Sequence, residues 1–298
     1  MMHIIDLHFL EHQQAIASFL IETSEGPVLI ETGPYSTFSH LKKGIENLGY
    51  QVEDVKHVLL THIHFDHAGA AWAFARHGAT IYLHPFGARH MADPGKLVES
   101  ARRIYKDDMD RLWSDIQAIP EKQLQTVEHE ETLHIGGVSF ISWHTPGHAN
   151  HHIAWQIGSD LFTGDVAGVK IGDGPVIPPC PPPDISLEKW KNSLEIIRKI
   201  QPAKLYLTHY GEVTEIEAHL DLLEEHLNEY AYWIKERWEQ GMSLEEMTPL
   251  FEQYIQKELK SKGLNDEALA QYQAANPAWM SVAGLVRYWK KKQEKPKD

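Results

Sequence analysis

The chain has 298 residues, 42% of them apolar and 23% charged, enough for one large domain or a domain with an appendage. A formal net charge of -14, from 28 basic and 42 acidic residues, sets an unfavourable field for a polyanion and counts against nucleic acid as a partner. One cysteine excludes an internal disulfide and a Cys-based zinc site; the start Met1-Met2-His3-Ile4-Ile5-Asp6 does not read as a leader and no apolar run approaches membrane length, so a cytoplasmic location with no membrane contact is expected.

Residues 3–9, 15–23 and 27–32 are short runs rich in Ile, Val, Leu and Phe, separated by Glu11–Gln14 and Glu25-Gly26-Pro27, and are predicted as antiparallel strands. Residues 36–49 carry Leu41, Ile45 and Leu48 at helical spacing, with Gly49 near the end. His57-Val58-Leu59-Leu60 reads as a short buried strand and leads into Thr61-His62-Ile63-His64-Phe65-Asp66-His67-Ala68-Gly69, where four metal-capable side chains fall within six positions. Residues two apart in extended chain point the same way, so His62 and His64 can face one metal while the following turn carries Asp66 and His67 to a neighbouring point. That spacing calls for two metals. Ala68–His77 is predicted helical and Thr80–Leu83 a strand. The stretch from Pro94 to Gln117 is a helical insert with Leu97, Ala101, Ile104 and Tyr105 on one face. It either packs on the sheet or overhangs the site, and its Arg102, Arg103, Lys106 and Arg111 are either a solvated face or contacts to an anionic substrate.

Three further candidate ligands follow apolar strand-like runs in the same way. Val138–Trp143 leads into Thr145-Pro146-Gly147-His148, Leu161-Phe162 into Thr163-Gly164-Asp165, and Lys204–Leu207 into Thr208-His209. Loops at the ends of several strands are where α/β scaffolds collect their sites. His84, His90, His151 and His152 read as surface or strand histidines, although His151 or His152 is close enough in sequence to His148 to serve as a proton donor. Gly172–Pro183 is proline-rich and irregular, a stiff rim near the mouth of the site, and Cys180 within it is an incidental thiol. Asp184 or Ser186 caps a helix to about Ile200. From Val213 onward Leu220, Leu223, Leu227, Ala231, Ile234 and Trp238 recur at steps of three or four, and Gly241, Pro249, Gly263 and Pro277 punctuate three more helical segments, the last being Ala278–Lys290. The extension covers the sheet, lines the pocket or supports a homodimer, and its end, residues 290–298, is expected to be frayed and solvated.

In their order, the seven donors resemble the metallo-β-lactamase superfamily, whose pattern is His-x-His-x-Asp-His, then a later His, a later Asp and a last His. The resemblance implies an αββα sandwich of two mixed β-sheets as a catalytic domain over 1–212, followed by a helical extension over 213–298. It implies His62, His64 and His148 on a first metal, Asp66, His67 and His209 on a second, and Asp165 bridging. Imidazole and carboxylate without thiolate suit two divalent ions, zinc first, with iron or manganese as alternatives. The implied activity is hydrolysis of a small-molecule ester, thioester or lactone by a metal-bridging hydroxide that Asp66 aims, and the chain is similar here to the glyoxalase-II-like members. A phosphodiesterase or nuclease would use the same ligands, a persulfide dioxygenase would keep one iron on His62, His148 and Asp165, and a non-enzymatic metal-binding scaffold would leave the site unused. Glu31 in Glu31-Thr32-Gly33 stands where superfamily members usually carry Asp, and is expected to support the metal loop.

Overall fold

Apolar residues of opposite parity in the central strands go to different layers. The computed structural model describes residues 1–294. Strands β1 (Met2–Asp6), β2 (Ala17–Thr23), β3 (Gly26–Ile30), β4 (His57–Leu59), β5 (Thr80–Leu83) and β6 (Leu124–Thr126) form one sheet in that spatial order. A second sheet of β7 (Thr132–Ile135), β8 (Val138–His144), β9 (Ile153–Ile157), β10 (Asp160–Gly164), β11 (Lys204–Leu207) and β12 (Gly211–Val213) runs from β12 to β7. Both sheets are mixed. In the first, β1 to β3 are antiparallel and β3 to β6 parallel; in the second, β10 and β11 run parallel between antiparallel neighbours.

Phe19, Ile30, Leu59, Tyr82, Phe162 and Tyr206 point between the sheets, where the Phe19 and Phe162 rings meet edge to face at 5.1 Å. The alternate residues Leu20, Leu29, Val58 and Ile81 pack outward under the helices of the first half, and Leu161 and Leu205 under those of the second. Strands covered on both faces are apolar at both parities, and for that reason their sequences read as continuous runs. The result is the expected αββα sandwich.

Four C-terminal helices, Ile216–Glu239, Leu244–Ser261, Asp266–Ala275 and Ala278–Glu294, extend the core of the second sheet, so that Leu220, Leu223, Leu227 and Phe251 share one apolar cluster with Leu161 and Leu205. Several boundaries depart from the sequence expectation. The chain adds the edge strand β12 before the first of these helices starts at Ile216, and the segment Ala68–His77 is two short helices, Phe65–Ala68 and Ala71–Arg76. Pro249 lies inside the helix Leu244–Ser261 instead of ending one. The last helix runs to Glu294, so residues 290–294 are helical, and residues 295–298 of the expected frayed end lie outside the described part. No helix among the described residues is long and apolar enough to cross a membrane.

The proline-rich segment Gly172–Pro183 shows where backbone carbonyls go when proline prevents sheet pairing: they find side-chain donors. Tyr272 Oη donates to the Pro175 carbonyl at 2.7 Å, Asn276 Nδ2 to Pro178 at 3.2 Å, and Lys291 Nζ to Pro183 at 2.9 Å. The Cys180 N–H donates to Ser281 Oγ at 3.3 Å. His226 donates from Nδ1 to the Val176 carbonyl at 2.7 Å and faces Glu258 Oε1 with Nε2 at 3.0 Å. Gly284 allows the last helix to come this close, since a Cβ there would stand 2.0 Å from the Cys180 carbonyl oxygen. Cys180 itself is fully buried, and burial pushes its thiol up, which fits an inert role.

Candidate functional site

All seven candidate donors meet at one end of the sandwich. His62, His64, Asp66 and His67 follow β4, His148 follows β8, Asp165 follows β10, and His209 follows β11. His64 Nδ1 lies 2.9 Å from His62 Nε2 and 3.0 Å from His148 Nε2. Beside this trio, Asp66 Oδ2 stands 3.7 Å from His67 Nε2 and 3.5 Å from His209 Nε2. Asp165 joins the two groups, with Oδ2 3.3 Å from His148 Nε2 and Oδ1 3.2 Å from His67 Nε2 and 3.4 Å from His209 Nε2.

These separations match a shared coordination sphere, because bonds of about 2.0–2.1 Å at tetrahedral angles place neighbouring donors roughly 3.3 Å apart. His67 Nε2, Asp165 Oδ1 and His209 Nε2 are buried and make no hydrogen bond to any described residue. Leaving such atoms unpaired is costly, and a cation in the Asp66–His67–His209 group would pair all three. The donor set of five imidazoles and two carboxylates fits two divalent ions.

The opposite nitrogen of most of these rings is fixed by the surrounding chain. His148 Nδ1 donates to the Pro179 carbonyl at 2.9 Å, His209 Nδ1 to the Ala15 carbonyl at 2.7 Å, and His62 Nδ1 meets Thr61 Oγ1 at 3.0 Å. His67 Nδ1 faces Glu31 Oε2 at 3.4 Å, while Glu31 Oε1 accepts from the Thr61 N–H at 3.1 Å. Glu31 is fully buried and sits in left-handed backbone at φ 65°. Its longer side chain therefore reaches both ends of the loop that carries the first four donors. Outward partners of this kind hold the tautomer and aim of a ligating imidazole.

Electrostatics divide the site. Burial and then the neighbouring His67 and His64 push His62 well below the usual imidazole range, and burial with His148 brings His64 to about 3. Burial also opposes charge on His67, but Asp165, Asp66 and Glu31 outweigh it and hold that ring well above its ordinary value. Burial would raise both aspartates; His67 and its neighbours instead hold Asp165 well below the carboxylate range and Asp66 at about 2. Three carboxylates thus converge on a position where positive charge is required. In the free protein the carboxylates favour a proton on His67, and a metal ion would supply the positive charge in the loaded one.

Replacing Glu31 by glutamine should weaken metal retention about 10–100-fold. Competition against a chelator reads this directly, with the circular dichroism spectrum staying native. Unchanged affinity would reduce Glu31 to an ordinary strand-end residue.

A cavity of about 1120 Å³ opens over the donors, reached by His64, Asp66 and Asp165. Its walls are the insert helix Gly95–Tyr105 with the turn after it, the rim prolines, and residues of the last two helices. The insert therefore overhangs the site, and the C-terminal helices both cover the sheet and line the pocket. Of the four insert cations, Lys106 and Arg111 line the cavity and Arg111 pairs with Asp108 at 3.0 Å. Arg103 instead pairs with Glu99, and Arg102 lies outside this cavity. Two of the four insert cations thus line the cavity, joined there by Arg287 of the last helix.

Two histidines read as surface or strand residues are buried beside the donors. His152 Nε2 accepts from the Asp165 N–H at 3.2 Å while Nδ1 meets Thr145 Oγ1 at 2.8 Å, which braces the Asp165 loop. His151 Nδ1 accepts from the Ile63 N–H at 3.4 Å and the ring lines the cavity near His64. That bond leaves the ring proton on Nε2. By contrast, His84 caps the helix Pro85–Ala92, and its ring lies 4.2 Å from that of His144 at a tilt of 41°. His90 is a half-exposed residue at the outer cavity wall. What marks His151 and His152 in the sequence is only their nearness to His148, a signal shared by many histidines that do nothing.

The family model described as "Metallo-beta-lactamase superfamily" matches residues 14–209. A solved archaeal superfamily protein from Sulfolobus tokodaii superposes with a TM-score of 0.62 at 26% identity, over 77% of this chain and 85% of that one. A family protein from Thermus thermophilus, at 18% identity and a TM-score of 0.65, shares the fold over 98% of this chain and 94% of its own. Among curated relatives, an N-acyl homoserine lactonase from Bacillus thuringiensis is 26% identical over 210 residues, 62% of this chain and 77% of the lactonase.

Proposed function

The chain belongs to the metallo-beta-lactamase superfamily, and from that premise we propose a dinuclear metal-dependent hydrolase of carboxylic esters, thioesters or lactones. His62, His64 and His148 would hold one ion and Asp66, His67 and His209 the other, with Asp165 placed between the two groups. The observation that supports this most is the pair of donor groups joined through one buried carboxylate beneath a large cavity.

Two ions bound there would supply a nucleophile at neutral pH by lowering the pKa of water toward about 7, and would polarise the substrate carbonyl. The chain does the rest. Of the two ligating carboxylates that reach the cavity Asp66 is the more exposed, its side chain 22% exposed against 4% for Asp165. Held ionised, its oxygen turned away from His67 and His209 accepts the O–H of the attacking water and fixes the line of attack. His151, a neutral ring with its proton on Nε2, donates a hydrogen bond to the departing oxygen or sulfur, and the leaving group takes its proton from the attacking water. Glu31, Pro179 and Ala15 keep the ligating rings in one tautomer. The aromatic and proline walls exclude water from the acyl side of the substrate.

A panel of acyl-thioesters, lactones and phosphodiesters, assayed with zinc, manganese and iron, tests the reading. Carbonyl substrates are expected to be turned over with kcat/KM well above bis(p-nitrophenyl) phosphate. The reverse order would move the site to phosphodiester chemistry, against which the apolar walls and the net charge of -14 now stand. Saturation at one iron per chain, with oxygen uptake on a persulfide, would replace hydrolysis by the dioxygenase reaction.

A further inference from the structure

We infer that the cavity above the donors is an acyl-chain site, so that the substrate carries a long unbranched apolar acyl group with its carbonyl at the metals. This rests on the hydrolase reading for the position of the carbonyl, and on the cavity walls for the chain. The walls are continuous. Phe65, the residue after His64, packs against Trp113 at 5.9 Å between ring centroids; Trp113 packs against Tyr105 at 5.1 Å, and Tyr105 against Trp279 at 5.6 Å. An aromatic path therefore leads from the donor groups to the last helix. Among the described residues the Tyr105 hydroxyl on that path meets only the Met280 sulfur, at 4.0 Å. Ala101 and Ala274 leave the space between the insert and the C-terminal helices open, and both line the cavity.

This aromatic stretch of the wall, as distinct from the charged side chains such as Lys106, Arg111 and Arg287 that line other parts of the cavity, offers ring edges and faces that suit methylene groups better than a sugar, a peptide or a phosphate. At about 1120 Å³ the space also exceeds the need of a short acyl group, since pockets for drug-sized ligands run roughly 300–1,000 Å³. Trp279, Met280 and Ala274 lie beyond residues 14–209, the part matched by the family model, so this wall belongs to the chain's own extension.

The test is equilibrium binding of linear carboxylates, from acetate to dodecanoate, to the full-length zinc-loaded protein by titration calorimetry, independent of any turnover. Burying one methylene is worth about fourfold in affinity. Binding should therefore tighten roughly 200-fold between butanoate and octanoate. In Ala101→Trp and Ala274→Trp, checked for native circular dichroism, that gain should fall to within threefold. An affinity independent of chain length in the wild-type protein overturns the inference, as does full length dependence in both filled variants. Length-dependent binding without hydrolysis of any ester would leave the acyl site standing and remove the hydrolase reading. Hydrolysis of short esters with length-independent binding would do the opposite.

Discussion

Asp165→Ala is expected to abolish hydrolysis, lowering kcat by at least about 10³-fold, and to reduce the bound metal to at most one ion per chain. Asp165 is the one side chain whose oxygens face both donor groups, toward His148 on one side and His67 and His209 on the other. Removing it also takes away one of the carboxylates that raise the His67 ring above its ordinary value. The fold should survive, because the side chain sits on a loop after β10 and contributes nothing to the inter-sheet core. Elemental analysis with circular dichroism separates the outcomes. Loss of fold together with activity would make the metals structural elements.

The second large effect is expected from Gly147→Ala. Gly147 has φ 143°, a backbone region that side chains avoid, and a Cβ there would lie 2.3–2.5 Å from Trp190 backbone and Cβ atoms. Trp190 is fully buried in the helix Leu187–Ile200 and its indole N–H donates to the Val166 carbonyl at 2.7 Å, so it cannot yield. The loop must move instead, and it carries His148. Overpacking and strained backbone together should cost roughly 2–4 kcal/mol by urea unfolding. The His62–His64–His148 group should lose its metal first. Wild-type stability and stoichiometry would mean that this loop has room the structure does not show.

The order of the seven donors was legible because each follows an apolar run, and strand ends are where a sandwich with both faces covered must turn. The two-sheet architecture came from the family pattern; periodicity alone gives strands apolar at both parities, such as Val58, Leu59 and Leu60, no assigned layer. Short half-exposed strands such as Leu124–Thr126 and Thr132–Ile135 lack enough residues for a pattern to stand out. The helical start after β11 was misplaced because Gly211–Val213 pairs with β11 through contacts that local sequence does not encode. The cavity was the least visible feature. Its walls join Phe65, Tyr105 and Trp279, which lie far apart in the chain, and the insert's cations drew attention to charge when its apolar face lines the cavity beside Lys106 and Arg111. Glu31 was identifiable from its place before Thr32-Gly33, but its reach to both Thr61 and His67 depends on the left-handed turn.

The stapling of the proline-rich rim has a consequence for the order of events during synthesis. His148 is aimed by the Pro179 carbonyl, and the residues on either side of Pro179 are held by Asn276 and Ser281, 98 and 101 positions further along. A nascent chain that has just released His209 from the ribosome already contains every donor, yet it lacks the partners that fix the rim. Contacts of such long range form late, since the intervening loop must close first. The first donor group therefore reaches its final geometry only after the last helix has left the exit tunnel, and a chain stalled before Asn276 would carry a complete set of ligands around an unfinished site.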